Sequence, residues 1–490
     1  MSQTPATISV EELCAESVLA RPLCVDLDGT LVRTDTLWES VLVLVRLRPW
    51  LALLLPFWLL RGRAGFKRKV AERVSLDVTA LPYRSELTDV LRISAEKGRR
   101  LVLSTAADER VAHAVAQHLA FFHEVLASDG KNNNKAHHKG ETLKARFAAT
   151  GFDYVGDSDA DLPVLEAAQR GYLVAASSST ASRARALGDK VQVVSQRGSR
   201  LRAMVKALRI HQWSKNALVV VPVLLAPGLP SLRQLGQAAL AMLCMSLCAS
   251  AGYVFNDIMD VSADRAHRTK HTRPFASGDL PLVWGPPLLL ALFATSFGLA
   301  IALLPLGFLA MLAGYFIISL TYSFYLKSKL LVDVIVLAWL YTHRVVAGGV
   351  ATSVPISHWL LAFSMFFFTS LAFAKRYIEL RATMGKDGRL HSRGYFAGDL
   401  EMVASMGPTA GYLAVLVFCL YIESNSIIYA RKEVLWGVAP VLLYWISRVW
   451  FLAHRGQLQD DPVKFAITDR LSWACALAIG LVAAAARFWP

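Results

Sequence analysis

Long apolar stretches recur through the second part of the chain, and they constrain its fold more than any other feature. A run of about 20 apolar residues can cross the hydrocarbon core of a bilayer as an α-helix. After about residue 210 we count nine such runs, which together predict a helical membrane bundle. They lie near residues 211–228, 235–258, 282–303, 306–325, 330–350, 357–379, 406–424, 433–453 and 470–488.

Charge is distributed as in a membrane protein. The chain has 490 residues, 54% of them hydrophobic, and a net charge of +15. No basic groove with interleaved aromatic residues is visible, so we expect no nucleic-acid partner. The basic residues gather in short loops, which by the positive-inside rule face the cytoplasm together with the N-terminal domain. No signal peptide is visible, and we expect an integral protein of the cytoplasmic (inner) membrane. The loop residues are Lys327, Lys329, Lys375, Arg376, Arg381, Lys386, Arg389, Arg393, Arg455 and Lys464.

A block of acidic residues follows the second apolar run. If the segment is helical, its polar side chains fall within an arc of about 100°. Carboxylates this close repel one another unless a cation lies between them, and oxygen ligands suit magnesium that is held partly through phosphates. A solvated helix end is the alternative, but surface charge usually mixes signs. The block therefore predicts a Mg²⁺-dependent diphosphate site at Asn256, Asp257, Asp260, Asp264 and His267, followed by basic residues including Lys270 and Arg273.

The first 195 residues have a different pattern. Short apolar strands separated by helical segments predict an α/β domain with a parallel sheet, whose ligands collect at the carboxyl ends of the strands. Two strands end in carboxylates, one ends in hydroxyls, and a lysine lies between the second and third strands. Carboxylates for attack, proton transfer and Mg²⁺, with a hydroxyl and an ammonium for phosphate oxygens, predict phosphoryl-transfer chemistry. These residues are Asp26, Asp28, Thr105, Lys139, Asp157 and Asp161.

These motifs resemble, in order, the four motifs of the haloacid dehalogenase (HAD) superfamily of phosphatases. The resemblance implies that Asp26 is the nucleophile and Asp28 the acid/base, and that Thr105 and Lys139 bind phosphate. It also implies a Mg²⁺ site at Asp26, Asp28 and Asp157 that Asp161 supports. Lys135 and Lys144 are rivals for the role of Lys139, whose spacing suits the family better.

Two segments of uncertain character complete the domain map. Residues 41–60 are apolar but interrupted, and a single span there would separate Asp26 from Thr105. We therefore expect a small helical cap within about residues 32–95, which either rests on the bilayer surface or has a buried core. Residues 196–215 are predicted to be a basic amphipathic connector between the 1–195 domain and a 216–490 membrane domain.

The membrane half resembles the UbiA superfamily of intramembrane transferases through the spacing of Asn256, Asp257, Asp260 and Asp264. The resemblance implies an all-α bundle of about nine transmembrane helices. Further motifs are similar to those of the decaprenyl-phosphate phosphoribosyltransferase-like branch. They begin at His211-Gln212-Trp213, Lys270, Thr321-Tyr322-Ser323, Asp333-Val334, Arg344 and Lys375-Arg376-Tyr377.

One departure from the wider superfamily bears on the substrate. Aromatic prenyltransferases of this superfamily usually carry a second Asp-rich motif, where this chain offers only Glu379 and Asp387 among basic residues. Positive charge there suits a substrate with an additional monophosphate. About half of those basic residues are expected only to anchor the topology. The resemblance implies substrate-binding roles for Asn256, Lys270, Arg273, Tyr322, Lys327, Arg344, Lys375 and Arg376, and a supporting role for His267.

Two functions remain open from the sequence. In the first, 5-phosphoribose passes from phosphoribosyl pyrophosphate to a polyprenyl phosphate, and the HAD domain removes the 5-phosphate of the product. In the second, a polyprenyl group passes from a diphosphate to an aromatic acceptor, while the HAD domain acts on a separate phosphate or is regulatory. Both require Mg²⁺ and a bilayer, and both are compatible with a homo-oligomer.

Overall fold

The chain divides into two compact units in the computed structural model. One unit is Met1–Leu208 with Tyr253–Leu289, and the other is Arg209–Gly252 with Leu290–Pro490. The first unit therefore contains the acidic block as well as the N-terminal domain. The residues that the structure describes are 13, 16–60, 62–129, 134, 136–226, 228–383, 393–424, 431–458 and 461–488.

A six-stranded parallel sheet lies in the first unit, which confirms the predicted α/β class. Its order is β3-β2-β1-β4-β5-β6. Val25 of β1 pairs with Leu103 of β2 on one side and with Val155 of β4 on the other. The strands are β1 (Leu23–Val25), β2 (Leu101–Asp108), β3 (Glu124–Ser128), β4 (Asp153–Gly156), β5 (Gly171–Leu173) and β6 (Val191–Val193).

Both faces of the sheet are covered. Leu23 and Val25 pack into one apolar cluster and Cys24 into another, because successive side chains of a strand point to opposite faces. The strand order reverses beside β1, so the carboxyl ends of β1 and β4 form the crevice where ligands of such sheets bind. The helices of this domain outside the cap are Glu16–Leu19, Ser85–Glu96, Glu109–Leu119, His137–Arg146, Leu162–Ala167, Ser178–Arg185 and Arg200–Leu208.

A helical cap lies between β1 and β2. Val41, Leu44 and Trp58 are buried in a small core of its own, whereas Trp50 and Leu53 are 64% and 76% exposed. The cap thus has both a core and an exposed apolar surface, and contact of that surface with a bilayer stays a prediction. Its elements are Thr36–Leu47, the 3₁₀ helix Pro49–Leu54, Leu55–Leu59, Arg63–Ala71 and the short 3₁₀ turn Val78–Ala80.

Eight helices among the described residues are long and apolar enough to cross a membrane. They correspond to the second through ninth predicted spans, so the chain has the composition of an integral membrane protein. The helices are Leu232–Met259, Leu282–Leu303, Leu306–Phe324, Val332–Thr352, His358–Ala382, Ala397–Glu423, Lys432–His454 and Arg470–Arg487. Short helices Val261–Ala266 and Pro274–Ser277 follow the first span, and Pro462–Thr468 precedes the last.

The first predicted span, 211–228, has a different structure. It forms a 3₁₀ helix, Ile210–Val220, and a short α-helix, Val221–Leu225. The indole N–H of Trp213 donates to Ser250 Oγ (2.9 Å), and the Asn216 amide donates to Ser246 Oγ (2.9 Å). The polar groups of these two side chains form hydrogen bonds with a neighbouring helix. The segment is therefore less apolar than its hydropathy indicates.

Candidate active sites

Three carboxylates converge at the carboxyl ends of β1 and β4. Asp26 directly follows β1, Asp157 directly follows β4, and Asp161 ends a short 3₁₀ helix after β4. One oxygen from each lies within 4.8 Å of the others, and all three residues are buried. A hard divalent cation prefers such an oxygen-only donor set. This trio fits Mg²⁺, and the predicted roles of Asp28 as a ligand and of Asp161 as a supporting residue stay predictions.

A buried ammonium lies among these carboxylates. Lys139 Nζ is 2.7 Å from Asp26 Oδ1, 2.8 Å from the Tyr154 hydroxyl and 3.5 Å from Asp161 Oδ1. Burial alone would lower the pKa of Lys139, but Asp26 and Asp161 raise it above its ordinary value. The lysine is therefore charged and adjacent to Asp26, as a phosphate-binding group must be. Lys144 pairs instead with exposed Glu141, and Lys135 lies outside the described residues.

Burial changes the acidity of the two predicted catalytic aspartates. It raises the pKa of Asp26 to about 6, partly opposed by Lys139. It raises the pKa of Asp28 to about 8, with Asp35 adding to the effect, while Asp28 Oδ1 accepts a hydrogen bond from the Thr36 amide (2.8 Å). At neutral pH, Asp28 thus retains a proton that it can donate, and Asp26 is largely ionised.

The loop after β1 lies close to Asp157. Gly29 has φ +81°, and a Cβ there would lie 2.4 Å from Asp157 Oδ2. A side chain at this position would displace the carboxylate, so the turn requires glycine. Burial raises the pKa of Asp157 well above its usual value, and the charges of Asp161 and Asp26 add to the effect. A cation would relieve this repulsion.

Three residues of the HAD-like site are not in the predicted set. Tyr154 donates to Asp161 Oδ1 (2.7 Å), Arg197 Nη2 lies 3.1 Å from Asp157 Oδ2, and Arg84 donates to the carbonyls of Gly29 and Thr30 (both 2.9 Å). Arg197 comes soon after β6, and the strand-end rule could have identified it. No comparable sequence signal marks Arg84. Predicted Thr105 is buried in β2, and its Oγ1 accepts a hydrogen bond from the Ala107 amide (3.0 Å).

The acidic block forms a second candidate site within the first unit. The helix Leu232–Met259 ends before Asp260, but the Asp260 amide still bonds to the Asn256 carbonyl (2.9 Å) and the Asp264 amide to the Asp260 carbonyl (2.8 Å). Helical hydrogen bonds therefore continue on both sides of Asp260, and Asp257 and Asp264, seven residues apart, share a face. A single arc for all five predicted polar residues stays a prediction. Asp257 and Asp264 are both buried.

A guanidinium joins the two buried aspartates of this block. Arg273 Nη1 is 3.2 Å from Asp257 Oδ1 and 2.6 Å from Asp264 Oδ2. Asp257, Asp260 and Asp264 are spaced more widely than the HAD-like trio, which is the one such cluster within 4.8 Å in the described part of the chain. Two carboxylates that share a positively charged guanidinium provide the oxygen donors that a Mg²⁺ site requires. Asn256 is partly buried, whereas His267 and Lys270 are exposed near the same segment.

An ion pair connects the cap to the acidic block. Arg265 Nη2 lies 2.6 Å from Glu39 Oε1, and their side chains are 9% and 3% exposed. Glu39 Oε1 also accepts a hydrogen bond from the Thr34 hydroxyl (2.7 Å). Loss of one partner leaves the other charge buried and uncompensated, which is strongly destabilising.

We expect Glu39→Gln to destabilise the first unit by about 3 to 5 kcal/mol, because Arg265 would stay buried without its counter-charge. Thermal denaturation of the purified full-length protein measures this as a lower midpoint. Asp89→Asn is the matched control, since Asp89 pairs with Arg92 across 3.6 Å on an exposed surface and should change stability by less than about 1 kcal/mol. Equal midpoints for the two variants would contradict a stabilising role for the buried pair.

The second unit has its own buried polar clusters. Arg344 donates to Asn216 Oδ1 (2.8 Å) and to the Tyr315 hydroxyl (3.0 Å), so two motif residues far apart in sequence are in contact. Arg376 is fully buried and pairs with Asp333 (3.1 Å) and with Glu379. The predicted roles of Arg344 and Arg376 in substrate binding stay predictions.

The remaining predicted residues of this unit lie near one end of the spans. Lys375 shares Asp461 with Lys215, at 3.3 and 2.8 Å. Burial alone would raise the pKa of Asp461, but the two lysines hold it well below its ordinary value. Tyr322 accepts a hydrogen bond from Arg393 (3.0 Å). Lys327 is half-buried in the 3₁₀ turn Leu326–Ser328, and Asp387 lies outside the described residues.

Two family models match the chain. Residues 217–474, slightly more than half of it, match the UbiA prenyltransferase family. Residues 23–166 match the haloacid dehalogenase-like hydrolases. The two matches fall on the two resemblances that the motifs indicate.

Relatives extend these matches. The Sinorhizobium fredii protein "Uncharacterized protein y4nM" is 36% identical over 92% of this chain and 88% of its own length. The decaprenyl-phosphate phosphoribosyltransferase of Mycobacterium tuberculosis is 33% identical over 58% of this chain and 94% of its own length. A solved UbiA homolog from Archaeoglobus fulgidus, bound to DMAPP and Mg²⁺, superposes with a TM-score of 0.45 at 16% identity, over 57% of this chain and 96% of that one.

Proposed function

Because this chain belongs to the UbiA prenyltransferase family and carries an N-terminal HAD-like domain, we propose that it performs two consecutive steps. In the first, it transfers 5-phosphoribose from phosphoribosyl pyrophosphate to a polyprenyl phosphate. In the second, the HAD-like domain removes the 5-phosphate of that product. The chain is then a membrane-embedded transferase with its own phosphatase.

The arrangement of Asp257, Arg273 and Asp264 carries the transfer step. Two buried carboxylates at a helix end share one guanidinium, which provides oxygen ligands for a divalent cation and a planar donor for a phosphate. The 33% identity, over 58% of this chain, with a decaprenyl-phosphate phosphoribosyltransferase supports a phosphoribosyl group as the transferred unit, and we infer phosphoribosyl pyrophosphate as its donor. Mg²⁺ held by Asp257, Asp260 and Asp264 would neutralise the diphosphate as it leaves.

The transfer needs no protein nucleophile. An oxygen of the polyprenyl phosphate attacks the anomeric carbon of the ribose, the bond from that carbon to the diphosphate oxygen breaks, and pyrophosphate leaves. Arg273 would stabilise the charge that develops on the leaving group, and Lys270 would contact its outer phosphate. Asn256 would orient the donor beside Asp257.

The phosphatase step uses the residues around β1 and β4. An Asp26 oxygen attacks the phosphorus of the 5-phosphate, and Asp28 gives its proton to the departing ribose oxygen. Lys139 and Thr105 would hold the phosphoryl oxygens. Water then attacks the phosphorus of the aspartyl-phosphate and passes a proton to Asp28. The bond from phosphorus to the Asp26 oxygen breaks, and inorganic phosphate is released. Mg²⁺ at Asp26 and Asp157 would screen the charge of the phosphoryl group.

We further propose that the acidic block and the HAD-like domain face the cytoplasm, as the basic loops indicate. The charged donor, phosphoribosyl pyrophosphate, would then reach the enzyme from the same solution into which inorganic phosphate is released. Tethering in one chain raises the effective concentration of the first product at the second site.

Lipid mass spectrometry after incubation with two donors tests the proposal. Membranes that contain the full-length protein are supplied with polyprenyl phosphate and isotopically labelled phosphoribosyl pyrophosphate. A parallel sample receives a labelled prenyl diphosphate and an aromatic acceptor. We expect label in a polyprenyl-phosphoryl ribose in the first sample only. A prenylated aromatic product in the second sample, with no ribosylated lipid in the first, would favour the aromatic prenyltransferase alternative instead.

A further inference from the structure

A cavity of about 540 Å³ opens beside the HAD-like site, at the carboxyl ends of β5 and β6. Its volume lies within the range of small-molecule sites, which is about 300 to 1,000 Å³. Val174 and Ala175 follow β5, Val194 and Ser195 follow β6, and Arg202 projects from the next helix. No step of the proposed mechanism uses this cavity.

Positive charge predominates in the cavity. Five basic side chains line it against two acidic ones, Glu86 and Asp279. Lys206 donates to the neutral carbonyl of Thr272 (2.7 Å). Among the described residues, neither Lys206 nor Arg202 has a carboxylate within ion-pair distance, so their charges are not neutralised internally. The basic residues are Arg33, Arg84, Arg197, Arg202 and Lys206.

Two of these arginines connect the cavity to the phosphatase site. Arg197 pairs with Asp157 of the carboxylate trio, and Arg84 bonds to the carbonyls of Gly29 and Thr30 in the loop after β1. Burial, and then the charge of Arg33, lower the pKa of Arg84 to about 10, so it is still charged at neutral pH. One side chain, that of Arg197 or Arg84, thus separates the cavity from the residues that act on the phosphate ester.

The acidic-block segment supplies part of the cavity wall. Gly278 and Asp279 line it, and a Cβ on Gly278 would lie 2.3 Å from the Arg33 carbonyl oxygen. Gly278 also has φ +78°, so glycine is required both for the turn and for this close approach. The wall is a feature of the fused chain and would be absent from an isolated HAD-like domain.

We propose that this cavity binds the phosphodiester of a prenyl-linked sugar phosphate while Asp26 acts on the other phosphate. This inference rests on the proposed two-step function. The product of the first step has one further anionic group besides its 5-phosphate, namely the diester at the anomeric position. Unneutralised Arg202 and Lys206 provide its counter-charges. Leu87, Val194 and Ala203 provide apolar contacts for the first carbons of the prenyl chain.

The test compares two substrates on the full-length enzyme in detergent. One is ribose 5-phosphate, and the other is the same sugar phosphate with a short prenyl phosphodiester at its anomeric position. We expect wild-type kcat/KM to be higher for the diester, and we expect the double variant Arg202→Gln/Lys206→Gln to lower the ratio of the two kcat/KM values by about 10-fold or more, mainly through KM. Arg92→Gln, on an exposed helix surface, is the control and should leave the ratio unchanged.

Each outcome bears on a different proposal. If wild type hydrolyses ribose 5-phosphate without preference for the diester, or the double variant keeps the wild-type ratio, the cavity does not bind the diester and phosphatase activity still stands. If wild type hydrolyses neither substrate, the phosphatase step itself is wrong, and the cavity inference falls with it. A preference that is lost in the double variant and kept in Arg92→Gln supports the inference.

Discussion

Asp260→Asn should strongly reduce ribosyl transfer while leaving the protein folded. Asp260 lies between the two aspartates that Arg273 bridges, and its side chain makes no hydrogen bond or ion pair in the described part of the chain. The substitution therefore removes a charge without breaking an internal contact. We expect kcat/KM for phosphoribosyl pyrophosphate to fall by roughly 10²- to 10³-fold, because a negative ligand for the diphosphate-bound cation is lost. Labelled lipid product, separated by chromatography, measures the rate.

The HAD-like domain supplies an internal control for that variant. Hydrolysis of ribose 5-phosphate by Asp260→Asn should equal that of wild type, since Asp260 is outside the carboxylate trio. Glu401→Gln is the matched control for the transfer step, because Glu401 is exposed at the start of another span. Transfer at the wild-type rate by Asp260→Asn would show that the acidic block does not hold the donor.

The HAD-like site was predictable because a parallel sheet brings its strand ends together. Asp26 is separated from Asp157 and Asp161 by more than 100 residues in sequence, yet each of the three follows a strand of the sheet or its adjoining turn. The apolar strands and the helical patterns between them are local features, and the strand-end rule then places their carboxylates at one edge. Lys139 was assigned to the same site because its spacing in sequence suits the HAD superfamily better than that of Lys135 or Lys144.

The sequence does not reveal which side chains that are far apart along the chain are in contact with each other. A phosphate contact was the prediction for Arg273, and the structure shows this residue bridging Asp257 and Asp264. The pairing of Arg344 with Asn216 depends on how the helices of the second unit pack, and no periodicity encodes it. The predicted span at 211–228 illustrates the same limit. Hydropathy depends on composition alone, so it does not indicate that Trp213 and Asn216 form hydrogen bonds with serines of a neighbouring helix.

Asp26→Asn should uncouple the two steps. The variant retains the acidic block, so transfer should continue, but it lacks the nucleophile that accepts the 5-phosphate. We expect polyprenyl-phosphoryl ribose 5-phosphate to accumulate, and release of inorganic phosphate to fall by at least about 10³-fold. Mass spectrometry distinguishes the two lipids by the mass of one phosphate, and a colorimetric assay follows the phosphate.

Asp26 also balances the charge of Lys139 across 2.7 Å, so a fold defect in Asp26→Asn must be separated from the loss of the nucleophile. Continued transfer by the same molecule reports that the first unit, which contains both sites, is intact. Asp28→Asn provides the second comparison, because it removes the proton donor without touching Lys139 and should also accumulate the phosphorylated lipid. Asp26→Asn membranes that form the dephosphorylated lipid as fast as wild type would contradict the proposal. A different enzyme would then remove the 5-phosphate, and this chain would not perform the second step.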